Sequence, residues 1–388
     1  MDHFDEGFDE PATAYAPPAG AADRLDWLRL IRSRRVGPAT FHRLMAQHGG
    51  AAAALAALPR IAAAAGVEGY EVCPEGVIRA EAAAARACGA RLLCRGEADY
   101  PAALAAAPDA PPVLWLRGEA AVLARPMVAL VGARNASSLG LRMARRLAEG
   151  LGAAGFTVVS GLARGIDAAA HEAALPTGTV AVVAGGADVV YPPDHADLMA
   201  RIATSGAILT EQPPGLQPQA RHFPLRNRIV AGLARAVVVV EAAARSGSLL
   251  TAREALDLGR EVLAVPGHPF DARAAGCNQL LRDGAILVRS AADVVEAIGA
   301  GLPARPRPAP PDRAPAPLPG PVPPRRPLPE MAQIHTLILA RLGPSPLPED
   351  QLIRDLALPP GAIAPELLTL ELDGRVLRAP GGMLSRAD

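Results

Sequence analysis

The residues best suited to chemistry lie in one stretch, 221–251. It reads Arg221-His222-Phe223-Pro224-Leu225-Arg226-Asn227-Arg228, then an apolar run from Ala236 to Val240, then Ser246-Gly247-Ser248-Leu249-Leu250-Thr251. This pattern is a basic, polar loop feeding a buried strand that ends in a Gly/Ser turn at the start of a helix. Open amides and short hydroxyls at such a turn hold a phosphate, because a helix N-terminus carries partial positive charge. Arginine forks beside them add charge and bidentate geometry. The chemistry is that of a polyphosphate-chain binder.

Two more turns repeat the theme. Val131-Gly132-Ala133-Arg134-Asn135-Ala136-Ser137-Ser138 follows an apolar run. It is not a dinucleotide fingerprint: arginine stands where a second glycine would let a pyrophosphate approach. Gly132 allows a tight turn, Arg134 projects a fork, and Ser137 or Ser138 can cap the helix. Ser160-Gly161-Leu162-Ala163-Arg164-Gly165-Ile166-Asp167 again sets one arginine among glycines. There Asp167 either caps its helix or fixes Arg164. His171 reads as a structural histidine, since neither a nucleophile elbow nor a second carboxylate accompanies it. No catalytic residue, metal site or cofactor is expected. Gly185-Gly186 permits close backbone contact, and Tyr191-Pro192-Pro193 reads as structural. Phe223, an aromatic in an arginine-rich segment, suits base stacking or stapling of its own helix.

The elements that must position these turns alternate regularly. Strand-like runs fall at Met127–Val131, Phe156–Ser160, Thr179–Ala184, Gly206–Thr210, Ala236–Val240, Val262–Val265 and Ile286–Val288. Helix-like runs lie between and after them, at Ser138–Ala153, Ile166–Leu175, Asp194–Ile202, Phe223–Leu233, Ser248–Leu258, Cys277–Asp283 and Ala291–Ile298. Strands apolar on both faces belong to a parallel sheet covered by helices. The expected fold is therefore α/β, a doubly wound, mostly parallel Rossmann-like sheet. Arg134, Arg164, Arg226, Arg228 and Arg245 all fall at or just past strand ends, where this class binds ligands. Charge placed in this way suits a narrow groove tracking single-stranded DNA better than a broad basic face.

Composition agrees with a placed charge. All 39 basic residues are arginine, balanced by 39 acids, so net charge announces no nucleic-acid partner. No apolar run is long enough for a membrane span, and the acidic N-terminus lacks the order of a secretory signal. Four cysteines without paired spacing are expected to be reduced thiols of a cytoplasmic protein.

Around the α/β region, 91–300, four further segments are expected. Residues 1–22 form a disordered tail. Residues 23–90 are a helical domain, where Arg35-Val36-Gly37-Pro38 joins two helices as in a helix-hairpin-helix or closes a plain bundle. Residues 301–330, with 13 prolines, form a semi-rigid linker. Residues 331–388 are three helices and a two-stranded hairpin, a winged-helix-like domain. Its third helix, near Gly361–Leu372, offers an acidic and apolar stretch from Pro365 to Glu371, which favours a protein-contact or packing role over duplex reading.

The motifs Gly132-Ala133-Arg134, Ser160 to Asp167, Tyr191-Pro192-Pro193, His222 to Arg228, Ser246 to Ala252 and Val265-Pro266-Gly267 resemble the DNA-processing protein A (DprA/Smf) family, in order, over about 127–288. The resemblance implies non-catalytic binding of single-stranded DNA, a homodimer through the Rossmann-like domain, and loading of the RecA recombinase during natural transformation. It implies that Gly132-Ala133-Arg134 and Arg164 meet phosphates and that Phe223 and Asn227 meet bases. Met383-Leu384 departs from the family, many of whose members place an aromatic there. The residues and the resemblance together nominate Gly132, Ala133, Arg134, Ser160, Gly161, Arg164, Phe223, Arg226, Asn227, Arg228, Ser246, Gly247, Ser248 and Thr251 as the nucleic-acid site. Two rival readings are a lysine-decarboxylase-like nucleotide phosphoribohydrolase, which would use Gly247, Ser248, Thr251 and Glu254, and a protein-only adaptor.

Overall fold

Valine- and alanine-rich runs of four to six residues cannot be left at a surface, and the computed structural model buries them as strands. The structure describes residues 15–299, 331–379 and 383–387. The expected linker, most of the expected tail, and Gly381-Gly382 of the hairpin lie outside the described residues.

Four helices open the chain: α1 (Ala21–Arg32), α2 (Pro38–His48), α3 (Ala51–Ala64) and α4 (Glu75–Ala87). They close around Trp27, Leu28, Phe41, Met45 and Ile78, all buried. Tyr15 corrects the expected tail. Its ring lies 5.6 Å from Trp27 and 6.5 Å from Phe41, and its hydroxyl is 2.5 Å from His42 Nδ1. An aromatic ring with an apolar pocket in reach is ordered whatever its proline-rich surroundings suggest.

The α/β body follows, with β1 (Ala90–Cys94), α5 (Ala102–Ala105), β2 (Val113–Gly118), β3 (Met127–Val131), α6 (Ser138–Ala153), β4 (Thr157–Ser160), α7 (Ile166–Ala174), β5 (Thr179–Val182), α8 (Ala196–Ser205) and β6 (Ala207–Thr210). It ends with α9 (His222–Leu233), β7 (Ala234–Val239), α10 (Ser248–Asp257), β8 (Glu261–Ala264), α11 (Ala275–Arg282), β9 (Ile286–Leu287) and α12 (Ala291–Ile298). The nine strands run in the order β1-β2-β6-β5-β4-β3-β7-β8-β9, with β3 to β9 parallel and β1 and β2 added antiparallel at one edge. Met127, Ala129 and Val131 face a core shared with α9 and α10, while Val128 and Leu130 face α6 and α7. The chain builds β3 to β6 outward on one side, then returns through α9 to start β7 on the other side of β3. The order therefore reverses between β3 and β7, and a crevice opens beyond their C-terminal ends.

The helical layer and the sheet are not separated by a free joint. Trp115 on β2 lies in the same apolar cluster as Trp27 and Phe41. Its indole N–H donates to Glu81 Oε1 at 2.9 Å, and Arg32 reaches both Glu81, at 2.8 Å, and the Glu211 carbonyl, also at 2.8 Å.

The C-terminal unit comprises α13 (Met331–Arg341), β10 (Leu347–Pro348), α14 (Glu349–Leu356), α15 (Pro360–Leu372), β11 (Val376–Ala379) and β12 (Met383–Arg386). Its sheet has three strands, β10-β12-β11, one more than the expected hairpin, because Leu347-Pro348 pairs with Met383-Leu384. Leu384 is fully buried, so an aliphatic residue there serves the core of this unit. Arg273 Nη1 and Nη2 donate to the carbonyls of Ala340 at 2.6 Å and Leu342 at 2.9 Å, and Arg341 donates to that of Ala136 at 2.6 Å, tying the unit to the α/β body.

Replacing Tyr15 with alanine is expected to lower stability by about 2–3 kcal/mol, the worth of a buried aromatic with ring partners. Chemical denaturation followed by tryptophan emission checks this.

Candidate nucleic-acid interface

The crevice at the β3/β7 switch point is a cleft of about 980 Å³. Four segments build it: the turn after β3, the turn after β4, one face of α9, and the turn that starts α10.

Helix α9 agrees with the helix-like run expected at Phe223–Leu233 and overturns the reading of the same residues as a basic loop. His222 begins a helix, and Pro224 fits its first turn because amides there lack intrahelical acceptors. Helical spacing then sorts the residues. Phe223, Arg226, Asn227 and Val230 share the face lining the cleft. Arg228 points elsewhere, donating to Glu211 Oε1 at 2.5 Å and lying 3.4 Å from Asp109 Oδ2, with 10% of its side chain exposed. It is a structural ion pair, which corrects its nomination.

Arg226 is buried beneath the cleft floor, its Nη1 donating to the Val182 carbonyl at 2.8 Å. Burial lowers its pKa, against the opposing pull of Asp167. Burial likewise raises that of Asp167, while Arg226 and nearby amides pull it down. Asp167 accepts from the amides of Gly161 at 3.1 Å and Ala163 at 3.3 Å, so it holds its own loop and not Arg164. A Cβ on Gly161 would stand 1.7 Å from Arg226 Nη1. The missing side chain thus makes room for the guanidinium, and the Gly161 amide is already used. Ser160 is also corrected: it is fully buried and its hydroxyl donates to the Leu130 carbonyl at 2.6 Å.

The turn after β3 divides in the same way. A Cβ on Gly132 would meet Ile166 Cγ1 at 2.6 Å, and the Ala133 amide donates to the Glu241 carbonyl at 2.6 Å. These two residues seat the turn. Among the described residues no hydrogen bond uses the amides of Arg134, Asn135 or Gly247. Ser137 caps α6 by accepting from the Gly140 amide at 3.0 Å. Arg134 is exposed, with its guanidinium carbon 5.2 Å from the Phe223 ring centroid, and Tyr191 lies 5.7 Å beyond, tilted by 54°. A cation resting on an aromatic face is held loosely enough to turn toward a phosphate.

Across the cleft, Ser246 and Ser248 share a hydrogen bond of 2.7 Å at the α10 N-terminus, Thr251 lines the wall, and Arg245 is exposed. The charged lining is four arginines, Arg134, Arg226, Arg245 and Arg273, against one acid, Asp167. Arg164 lies in an adjoining pocket of about 60 Å³ with Arg134, Tyr191 and Phe223. Its partner Asp194 is 2.8 Å away and both side chains are more than half exposed, so a phosphate can replace the aspartate.

The structure therefore gathers eleven of the fourteen nominated residues around one cleft, sets Arg164 beside it, and removes Ser160 and Arg228. Sequence reasoning missed Tyr191, taken as structural. The signal was present, an aromatic at a strand-end turn, as for Phe223. Two features oppose the phosphoribohydrolase reading: Leu250 is exposed on the cleft wall, and Glu254 does not line it. Among the described residues no group of three or more His, Cys, Asp or Glu is arranged to hold a metal, and no helix is long and apolar enough to cross a membrane. In the C-terminal unit, Arg378 is engaged by Glu349 at 2.6 Å and by Glu371 of the third helix at 2.7 Å, and Glu366 of that helix lies 2.6 Å from His335 Nε2.

Comparison with known proteins finds a match for each of the three folded units. The family model described as DNA recombination-mediator protein A matches residues 91–299, a DprA-like N-terminal HHH domain matches 21–84, and a DprA winged helix domain matches 322–382. A "Putative DNA processing protein DprA" of Mycobacterium tuberculosis is 50% identical over 193 residues, 49% of this chain and 50% of that protein. The chain thus spans about half the length of that relative. The structure of DNA processing protein A from Streptococcus pneumoniae is similar with a TM-score of 0.56 and 33% identity, covering 71% of this chain and 93% of that one. The protein of the same name from Helicobacter pylori, described with a single-stranded DNA binding mode, has a TM-score of 0.50 and 29% identity, covering 54% and 94%.

Two outcomes follow from the floor of the cleft. Gly161→Ala is expected to destabilise by about 1–3 kcal/mol through overpacking against Arg226, read by thermal or chemical denaturation. His171 is buried, with Nδ1 2.8 Å from Thr179 Oγ1; that hydroxyl donates to Val158, so Nδ1 donates to it. Burial first, then Arg226 and His195, lower its pKa from 6.5 to about 3. The unfolded chain therefore takes up the proton first, and the stability held above the unfolded value is lost as pH falls toward the folded one. The loss is on the order of 3 kcal/mol between about pH 7 and about pH 4, and His171→Gln should flatten that slope in denaturation curves.

Proposed function

The chain belongs to the DNA recombination-mediator protein A family, and from that premise we propose that it binds single-stranded DNA along the strand-end rim without cutting it. We further propose that it hands the strand to the RecA recombinase during natural transformation, in the cytoplasm, as a homodimer through the α/β body.

One observation carries the binding reading. Exposed guanidiniums at Arg134 and Arg245, open amides at Arg134, Asn135 and Gly247, and the Phe223–Tyr191 rings meet in a single cleft. Forks and amides grip phosphates, the rings stack bases, and Asn227 reaches a base edge or a sugar. Few such edge contacts leave the grip nearly independent of sequence. The single-stranded DNA binding mode described for the Helicobacter pylori protein supports the ligand. Asp167, the carboxylate in the cleft lining, is buried, accepts from the Gly161 and Ala163 amides and faces Arg226, which supports a structural role for it. An exposed apolar edge strand, Ile286-Leu287 on β9, supports the dimer, since an open strand edge is a ready pairing surface. Four unpaired thiols suit a reducing compartment. Delivery to RecA rests on the family likeness.

Fluorescence anisotropy with oligothymidylate and oligoadenylate across a salt series tests the grip. Arg134→Ala is expected to weaken both alike and to shallow the log–log salt slope by about 0.7, one phosphate's share on a single strand. Arg228→Ala, away from the cleft, should leave the slope unchanged. Wild-type affinity in the Arg134→Ala/Arg164→Ala double variant would remove the proposal.

A further inference from the structure

The rim does not stop at the cleft. Its strands stand side by side in the order β5-β4-β3-β7-β8, so the loops after them form a line advancing about 4.8 Å per strand. Tyr191 follows β5, Arg134 follows β3 and Arg245 follows β7. The next loop in line follows β8 and contains His268, Phe270 and Arg273. Arg273 already lines the cleft, so the root of this loop borders it.

Phe270 is 79% exposed, more than any other large hydrophobic side chain among the described residues. Its ring centroid lies 5.6 Å from that of His268, with the planes inclined by 42°. The loop presenting this pair is pinned at both ends. Asn278 bonds Gly267 twice, its oxygen accepting from the amide and its nitrogen donating to the carbonyl, each at 3.1 Å. Asp271 grips Arg273 through both oxygens, at 3.0 and 3.1 Å. The chain has 12 aromatic residues (Phe 6, Tyr 4 and Trp 2), so leaving one in water on a braced loop at the end of a cationic line calls for a ligand with a flat apolar face.

We propose that Phe270, with His268 beside it, is a second nucleobase platform at the far end of the rim from Tyr191 and Phe223. The inference rests on the single-stranded DNA reading of the cleft. A strand held by its phosphates at Arg134 and Arg245 passes Arg273 and lays a base on the Phe270 ring. The site takes any base, because stacking uses the face common to all four. The Asp271 carboxylate does not repel the strand, since Arg273 occupies it.

The full chain is tested with oligothymidylates of about 4 and about 16 nucleotides, bracketing the span of single-strand site sizes. Phe270→Trp supplies a reporter, because the native Trp27 and Trp115 are 2% and 3% exposed. Its emission should be quenched by the long oligomer. Phe270→Ala should bind the long oligomer about tenfold more weakly with an unchanged salt slope, and the short one as the parent does. Unchanged emission and affinity at Phe270, with Arg134-dependent binding intact, would overturn the platform and assign the exposed ring to a protein partner. Failure of the parent chain to bind either oligomer would instead remove the cleft reading, and the platform with it.

Discussion

A guanidinium buried at the C-terminal edge of the sheet sets the terms for everything around it. Arg226 is anchored to β5 by the Val182 carbonyl, faces Asp167 from α7, and fills the space that Gly161 leaves open after β4. Each partner is in turn committed, since Asp167 holds the Gly161 and Ala163 amides. A buried charge persists only where its neighbours offset the cost of burial, here the Val182 carbonyl and the Asp167 charge, although Nε of Arg226 has no hydrogen-bond partner among the described residues. This one therefore fastens two strands and two helices into a fixed floor, and the groups above it project from a rigid base. That rigidity lets exposed arginines act as a groove instead of a mobile fringe.

The division of labour among the arginines explains how a neutral chain can carry a cationic cleft. Arg32, Arg226 and Arg228 are spent on carboxylates and carbonyls inside the protein. Arg134, Arg164 and Arg245 are exposed, and their heads face a ring or a displaceable aspartate or the cleft itself. Net charge records only the sum of the two groups. The local excess on the cleft wall creates a positive potential there that the sum conceals.

The order of strands and helices could be read directly, because period and apolar runs report burial on both faces of a parallel sheet. Met127–Val131, Ser138–Ala153 and Ala291–Ile298 have the bounds the pattern suggests. The site was legible as a set of turns, but the use of each group was not. Glycines at 132 and 161 suggest ligand access, yet a Cβ there collides with Ile166 or Arg226, which are neighbours only in three dimensions. Arg228 looked equal to Arg226 in sequence, and the helical phase of α9 separates them: one faces the floor, the other Glu211. The helix-like run Phe223–Leu233 already carried that phase, but only the neighbours of each face, Asp167 and Glu211, show what the two arginines do. Tyr15 could not be foreseen, because its pocket is assembled from α1 and α2.

The Trp115–Glu81–Arg32 triangle has a mechanical meaning. It stitches the first four helices to β2, which pairs with β6, so the helices are a wall of the sheet and not a bead on a string. Cutting the chain near residue 90 would strip that wall and bare the Trp115 ring to solvent. Anything that grips the helices thereby loads the sheet edge directly, with no slack to absorb the pull.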